Sequence, residues 1–198
     1  MESYFTIKNE GFAEHKIFES KFLSYSFPVK NTNEFKEKLQ HLKRLHPKAS
    51  HHCYAYRIGF DGNNYRSSDA GEPSGTAGRP ILGQIDSRKL TNTLIVVVRY
   101  FGGILLGVPR LTNAYKTAAS LVLQCTPIIE KNILQTISIE CPYPELHPVL
   151  HILRQNEASV YTQDIQLFCH LQVGVPVGET SQIISALRQI PQVIVNTM

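Results

Sequence analysis

The sequence predicts an α+β protein of two domains, residues 1–131 and 132–198. A chain of 198 residues has room for one large domain or two small ones. Charge divides it: residues 1–131 hold 18 Lys and Arg against 11 Asp and Glu, whereas residues 132–198 hold 2 against 5. Beyond residue 132 the apolar patterns alternate in the order β-α-β-β-α-β, which is typical of a ferredoxin-like domain.

The first domain contains segments with clear helical or strand patterns. They are a strand at 22–27, a helix from 35 to 45, strands at 51–60 and 65–68, a short helix from about Thr76, a strand at 93–100 and a helix at 109–124. A capping residue among 31–33 and the stop at Pro47 bound the first helix. The β-branched run from Thr93 to Tyr100 is typical of a strand buried on both faces.

The second domain is predicted from a shorter set of segments. They are a strand at 133–140, a helix at 144–156, strands at 158–162 and 165–174, a helix at 179–189 and a strand at 192–196. About sixty residues suffice for this unit.

Composition excludes several classes of protein. Apolar residues make up 42% and charged residues 18%, which is typical of a globular chain. The longest strongly apolar run, Leu94–Val98, is far too short to span a membrane, and the N-terminus has no apolar signal segment. The four cysteines form no Cys-x-x-Cys pair, so we expect buried reduced thiols, no metal, no cofactor and a cytoplasmic protein.

The first candidate site is the glycine-rich loop at residues 69–80. Its glycines can turn backbone N–H groups outward, and Ser74, Thr76 and Arg79 add donors, so the loop suits a phosphate. Asp69 and Glu72 complicate this interpretation, because each can accept hydrogen bonds from the loop or hold a metal or a ribose hydroxyl. A tight turn braced by its own side chains is the alternative.

The second candidate site follows the predicted buried strand, at residues 99–107. Arg99 ends an apolar strand, so it either pairs with a carboxylate such as Asp69 or faces a ligand. Tyr100 and Phe101 can stack on bases, or they can be core aromatics. The loop lacks both the Gly-Lys-Ser/Thr of a phosphate loop and the dinucleotide pattern Gly-x-Gly-x-x-Gly.

His51 and Cys53 form a third candidate, weaker than the two loops. On a strand they share one face with Arg57, while the neighbouring His52 points to the other face. This placement, and the absence of a second Cys/His pair at zinc spacing, argue against a metal site. A Cys53–His51 pair would need a carboxylate to orient the histidine before it could act as a nucleophile.

These observations define a candidate set for binding an anion or a nucleic acid and a candidate polar site. The first set is Arg57, Arg66, Ser74, Thr76, Arg79, Arg99, Tyr100, Gly102, Gly103 and Arg110, and the polar site is His51, Cys53, Asp69 and Glu72. No residue is assigned a catalytic role.

The motifs of residues 15–127 resemble those of the YigZ/IMPACT family. The run 69–80 is similar to the family's longest motif, and 99–107 resembles its Arg-Tyr-Phe-Gly-Gly-x-x-Leu-Gly segment. The strand that begins His51-x-Cys53 and the tripeptide Ser20-Lys21-Phe22 match two further blocks. Residues 133–195 resemble the C-terminal domain of the bacterial members more weakly.

The resemblance implies a fold and a functional setting. It implies that residues 1–131 adopt the fold of domain 2 of a small-subunit ribosomal protein, shared with domain IV of elongation factor G, and that 132–198 resemble domain V of that factor. It therefore implies RNA or the ribosome as partner. Where the family usually has a lysine, Leu105 stands here, and Val108-Pro109-Arg110 and Asn113 also depart from its pattern.

Three function classes remain open from the sequence. The leading hypothesis is an RNA- or ribosome-binding protein with a role in translation regulation, favoured by the 13 Lys and Arg against 5 Asp and Glu between Lys36 and Lys116. The second is an enzyme acting on a phosphorylated or nucleotide-like small molecule. The third is an adaptor that binds a protein partner through residues 132–198. No membrane partner is expected.

Overall fold

The structure is a computed structural model and describes residues 2–197. Its strands are β1 (Ser3–Ile7), β2 (Gly11–Ile17), β3 (Ser20–Pro28), β4 (His51–Ile58), β5 (Asn64–Ser68), β6 (Thr93–Tyr100), β7 (Ile128–Asn132), β8 (Leu134–Pro142), β9 (Ser159–Asp164), β10 (Phe168–Pro176) and β11 (Ile194–Thr197). Its α-helices are α1 (Thr32–Leu45), α2 (Gly78–Ser87), α3 (Val108–Gln124), α4 (Leu146–Gln155) and α5 (Thr180–Arg188). Short 3-10 turns precede α4 and α5.

The chain divides into two compact units. One comprises residues 4–131 and the other comprises residues 2–3 together with 132–197. The first unit, here called the basic unit, carries 18 Lys and Arg against 10 Asp and Glu. The second, the acidic unit, carries 2 against 6.

The basic unit is built on a five-stranded antiparallel sheet in the order β2-β3-β6-β4-β5. β6 lies at its centre, and seven of its eight residues are buried, as the β-branched run predicted. Helices α2 and α3 pack on one face around Ile95 and Val97, while α1 packs on the other around Val96 and Val98. Each fully buried valine or isoleucine contributes about 1.5–3 kcal/mol, so this strand anchors both layers.

Helix α1 begins and ends where its sequence predicts. The Oδ1 atom of Asn31 accepts hydrogen bonds from the N–H groups of Asn33 and Glu34, both at 3.0 Å, which satisfies two otherwise unpaired donors of the first turn. Lys43 and Arg44 lie in the last turn, where cations complement the helix dipole.

The acidic unit carries a four-stranded antiparallel sheet in the order β11-β8-β10-β9. Its elements follow one another in the predicted order β-α-β-β-α-β. Helices α4 and α5 contribute Val149, Leu153, Ile183 and Leu187 to a core shared with the sheet.

The structure differs from the sequence predictions in three strands and one thiol. β1, β2 and β7 were not predicted: β2 is an edge strand with no fully buried residue, and β1 pairs with β7 and makes one further bridge from Phe5 to Leu90. Of the four cysteines, Cys125 is exposed rather than buried, since it caps the end of α3. Within residues 2–197, no helix combines the length and the apolar character needed to cross a bilayer.

Candidate functional site

The two glycine loops and His51 meet at one end of the sheet in the basic unit. In the antiparallel register Arg99 stands opposite His51 on β4 and Phe22 on β3, so the end of β6 lies beside the start of both neighbours. The loop after β5 reaches this end as well, because Glu72 contacts Arg99. The fold therefore brings together residues that are distant in sequence.

A buried polar cluster occupies this end of the sheet. The guanidinium of Arg99 donates to Glu72 Oε1 at 2.7 Å, and the Tyr115 hydroxyl donates to the same oxygen at 2.7 Å. The side chains of Arg99 and Glu72 are only 6% and 4% exposed. Phe22 and Phe101 lie against the guanidinium, with their ring centroids 5.3 and 5.4 Å from Cζ. This cluster is called the Glu72 cluster below.

Arg99 is therefore an internal brace. The sequence allowed two interpretations of Arg99, a carboxylate partner or a bound ligand. The geometry favours the carboxylate partner, which is Glu72 rather than Asp69. An unpaired charge in this position would be costly to bury, and the ion pair offsets that cost. Arg99 is therefore not one of the exposed cations of the basic unit.

The Asp69 carboxylate accepts hydrogen bonds from the backbone N–H groups of the first loop. These donors are the N–H groups of Gly75, Ala77 and Gly78, at 2.8, 2.9 and 2.8 Å. Burial alone would raise the pKa of Asp69, but these three donors and the nearby Arg79 charge outweigh it and hold that pKa below its usual value. The cradle expected for a phosphate at the start of α2 is thus filled by a side chain of the loop itself.

The other hydrogen-bond donors of this loop are side chains, of which one is buried and two are exposed. Thr76 is buried, and its hydroxyl donates to the Pro73 carbonyl at 2.7 Å, so it does not face a ligand. Ser74 and Arg79 are exposed. Arg79 has no ion-pair partner among residues 2–197.

The second loop places its residues on different surfaces. Tyr100 points to the α1 side of the sheet, opposite to Arg99, and its hydroxyl bonds to His46 Nδ1 at 2.9 Å. Gly102 passes so close to the backbone of Glu19 that an added Cβ would lie 2.1 Å from a carbonyl carbon. Gly103 is exposed with a φ of +84°, a conformation that favours glycine. Leu105 is 86% exposed.

His51 and Cys53 do not form a nucleophilic pair. The Cys53 thiol donates to the Asp69 carbonyl at 2.9 Å, and burial raises its pKa to about 12. His51 Nδ1 donates to the Ala70 carbonyl at 2.9 Å, and its Nε2 faces Glu72 Oε2 at 3.8 Å. Within the part of the chain described, no group of three His, Cys, Asp or Glu side chains is placed to hold a metal ion.

The remaining arginines of the candidate set differ in their partners. Arg57 is neutralised by Asp86 at 2.8 Å and also donates to the Gly62 carbonyl. Arg66 on β5 and Arg110 at the start of α3 are exposed, and neither has an ion-pair partner within residues 2–197. Arg110 lies over the Phe18 ring, 5.9 Å from its centroid.

Two residues that form hydrogen bonds with predicted site residues were not predicted from the sequence. Tyr115 was assigned only to the apolar side of α3, yet it donates to Glu72 within the buried cluster. His46, next to the predicted stop at Pro47, bonds to the hydroxyls of Tyr25 and Tyr100 at 2.7 and 2.9 Å. A tyrosine on a buried helix face is a signal for the first, because a buried hydroxyl needs a partner.

Comparison with known proteins matches this chain to one family model and to relatives that bear the same family name. Residues 18–123 match the family described as the Impact N-terminal domain. The IMPACT family member YvyE of Bacillus subtilis is 36% identical over 157 residues, which cover 79% of this chain and 72% of the relative. The IMPACT family member YigZ of Escherichia coli is 31% identical over 169 residues, covering 84% and 83%.

A solved structure matches the whole chain. It is described as the crystal structure of a hypothetical protein, and it superposes with a TM-score of 0.78 at 28% sequence identity. The match covers 100% of this chain and 98% of that one.

Proposed function

This chain belongs to the IMPACT family, as its motifs predicted, and on that premise we propose that it binds RNA, free or within the ribosome, and acts in the regulation of translation. The basic unit makes the contact. The acidic unit carries a net negative charge, which would repel a polyanion.

The observation that carries the proposal is the uncompensated positive charge of the basic unit. Its 18 Lys and Arg outnumber its 10 Asp and Glu, and the internal ion pairs consume equal numbers of each sign. Arg66, Arg79 and Arg110 are exposed without an ion-pair partner in the described part of the chain. Cations of this kind attract phosphates and release condensed counterions on binding.

Apolar side chains at the loop end of the same unit support the proposal. Phe101, Ile104 and Leu105 are 46%, 50% and 86% exposed in the segment before α3. Exposed aromatic and aliphatic groups beside cations suit unpaired bases, which offer flat apolar faces next to phosphates.

The finer fold assignments belong to the same proposal. The strand order β11-β8-β10-β9 and the two helices on one face support a ferredoxin-like acidic unit. We assign the basic unit to the ribosomal-protein domain 2 fold on the family resemblance alone. Fold likeness gives a setting for the function and does not establish it.

The test is binding by the full chain at two salt concentrations. Labelled single-stranded RNA and purified ribosomes are used, the first in fluorescence anisotropy and the second in co-sedimentation. We expect affinity to fall steeply between about 50 and 200 mM salt. The triple substitution Arg66→Gln, Arg79→Gln and Arg110→Gln should lower the salt slope by about 2 for single strands, at roughly 0.7 per lost phosphate contact.

A matched control removes a charge from the acidic unit. Arg154 is exposed on α4, so Arg154→Gln should leave both binding assays unchanged. Absence of binding to RNA and to ribosomes at low salt would overturn the proposal.

A further inference from the structure

A row of aromatic rings crosses the α1 side of the sheet in the basic unit. Phe12 on β2 faces Tyr25 on β3, with ring centroids 5.0 Å apart. His46 follows at 5.7 Å from Tyr25, and Tyr100 at 5.9 Å from His46. These four side chains are called the aromatic row.

Hydrogen bonds fix the orientation of the row. His46 bonds through Nε2 to the Tyr25 hydroxyl at 2.7 Å and through Nδ1 to the Tyr100 hydroxyl at 2.9 Å. Burial lowers the pKa of His46, which favours the uncharged form of its ring. Phe12 is 52% exposed, and Tyr25 and Tyr100 are half-buried. The rings therefore form a pre-ordered surface that solvent reaches.

The row joins two open clefts. The first has a volume of about 520 Å³ between α1 and β3, with Tyr25 and Phe27 in its lining and Leu42 and Leu45 from the helix. The second has a volume of about 400 Å³ and is lined by His46, Tyr100 and Leu23. A single small molecule needs only one such cleft. Two clefts connected by aromatic rings fit a polymer that presents successive flat groups.

The charges around the clefts are mixed, and their pairing limits the number of phosphate contacts. The carboxylates of Glu10 and Glu14 are neutralised by Lys38 at 2.6 Å and by Lys16 at 3.3 Å. Lys21 and Arg44 line the clefts and Lys43 lies next to Arg44, and these three exposed cations have no ion-pair partner among residues 2–197. Glu19 and Glu37 also line the clefts. This balance favours a ligand held by stacking with few phosphate contacts.

We propose that the aromatic row and its two clefts form a stacking platform for a single-stranded RNA segment, with bases on the rings and phosphates near Lys21, Lys43 and Arg44. The inference rests on the proposed function and deepens it by naming the form of RNA. Paired bases hide their faces within the helix, whereas an unpaired strand can splay them onto aromatic side chains. The platform lies on the opposite face of the sheet from the Glu72 cluster.

The test measures binding of the full chain to labelled oligouridine and oligoadenosine of about 12 nucleotides. Phe12→Ala and Tyr100→Leu should each weaken binding by about 5- to 100-fold, because each removes one stacking ring. Tyr100→Phe keeps the ring and should bind within about 3-fold of the unaltered chain. A double-stranded RNA of the same length should bind more weakly than either single strand.

The matched control is Tyr65→Ala. Tyr65 is an exposed aromatic on β5, outside the row, with 56% of its surface accessible. Its removal should leave affinity unchanged, and melting curves confirm that each variant is folded. Ultraviolet cross-linking followed by peptide mapping should place the RNA on residues of the row, Phe12 or Tyr25 among them.

The outcomes separate this inference from the proposed function. If single strands bind but Phe12→Ala and Tyr100→Leu are folded and bind normally, the platform is wrong and the proposed function stands. Preference for the duplex would also overturn the platform. Failure of the unaltered chain to bind either free RNA or ribosomes would overturn both.

Discussion

Arg99 and Glu72 show how one buried ion pair decides the role of a motif residue. Arg99→Ala leaves the Glu72 carboxylate buried with only the Tyr115 hydroxyl and His51 nearby. We expect a loss of about 3–5 kcal/mol in the free energy of unfolding, measured by urea denaturation. Arg79→Ala removes an exposed guanidinium and should change that free energy by less than about 0.5 kcal/mol. Equal stability of the two variants would show that Arg99 is no brace.

Asp69 makes stability depend on pH in a defined direction. Its pKa is lower in the folded chain than in the unfolded one, so its contribution is fully present above the unfolded pKa of about 3.9 and is lost as pH falls through the folded value. Asp69→Asn should cost about 1–2 kcal/mol at pH 7.

The measurement is a series of denaturation curves between neutral and strongly acidic pH. The difference between Asp69→Asn and the unaltered chain should shrink once the pH falls below about 4. Asp164→Asn changes an exposed carboxylate of the acidic unit and should follow the unaltered chain throughout. A constant difference for Asp69→Asn across this range would contradict the assigned role.

The cysteines should differ sharply in reactivity toward a thiol reagent. Burial raises the pKa of Cys53 to about 12 and of Cys141 to about 11, and Cys169 is buried as well. Cys125 is exposed, so one thiol per chain should react at neutral pH before unfolding. The substitution Cys125→Ser should remove that fast phase, and a second fast thiol in this variant would refute the assignment.

At the scale of elements, two glycines of α2 should respond in opposite directions to alanine. A Cβ on Gly78 would lie 2.7 Å from the backbone nitrogen of Ser68, so Gly78→Ala should cost about 1–3 kcal/mol. A Cβ on Gly83 meets nothing within 4 Å, so Gly83→Ala should add up to about 1 kcal/mol through helix propensity. Thermal melts of the two variants compare them directly, and a shift of the same sign in both would contradict the packing argument.

Element by element, the sequence predicted those segments whose signal is local. Helix α1 has its cap and its stop in the residues that flank it, and β6 is a largely β-branched apolar run, so both were found at or near their true bounds. Strands β1 and β7 were missed because they pair with each other from opposite ends of the first 132 residues. Strand β2 forms a hairpin with its neighbour β3, but it is an edge strand with no fully buried residue, so its apolar signal is weak.

For the whole molecule, the features of the site that have a local sequence signal could be predicted, whereas contacts between residues distant in sequence could not. The motifs around residues 69–80 and 99–107 identified the family, and the change of charge along the sequence lies at residue 131, where the basic unit ends. The partners of the motif residues could not be read from the sequence, because Glu72 reaches Arg99 across 27 positions and Tyr115 across 43. The aromatic row likewise exists only once β2, β3, β6 and the end of α1 are assembled.

The Asp69 carboxylate behaves as a ligand tethered to its own receptor. Truncating it to alanine would leave the N–H groups of Gly75, Ala77 and Gly78 without their acceptor at the start of a helix. Such a vacancy is open to chemical rescue: formate or acetate added to the Asp69→Ala protein should raise its melting temperature while leaving the unaltered protein unaffected.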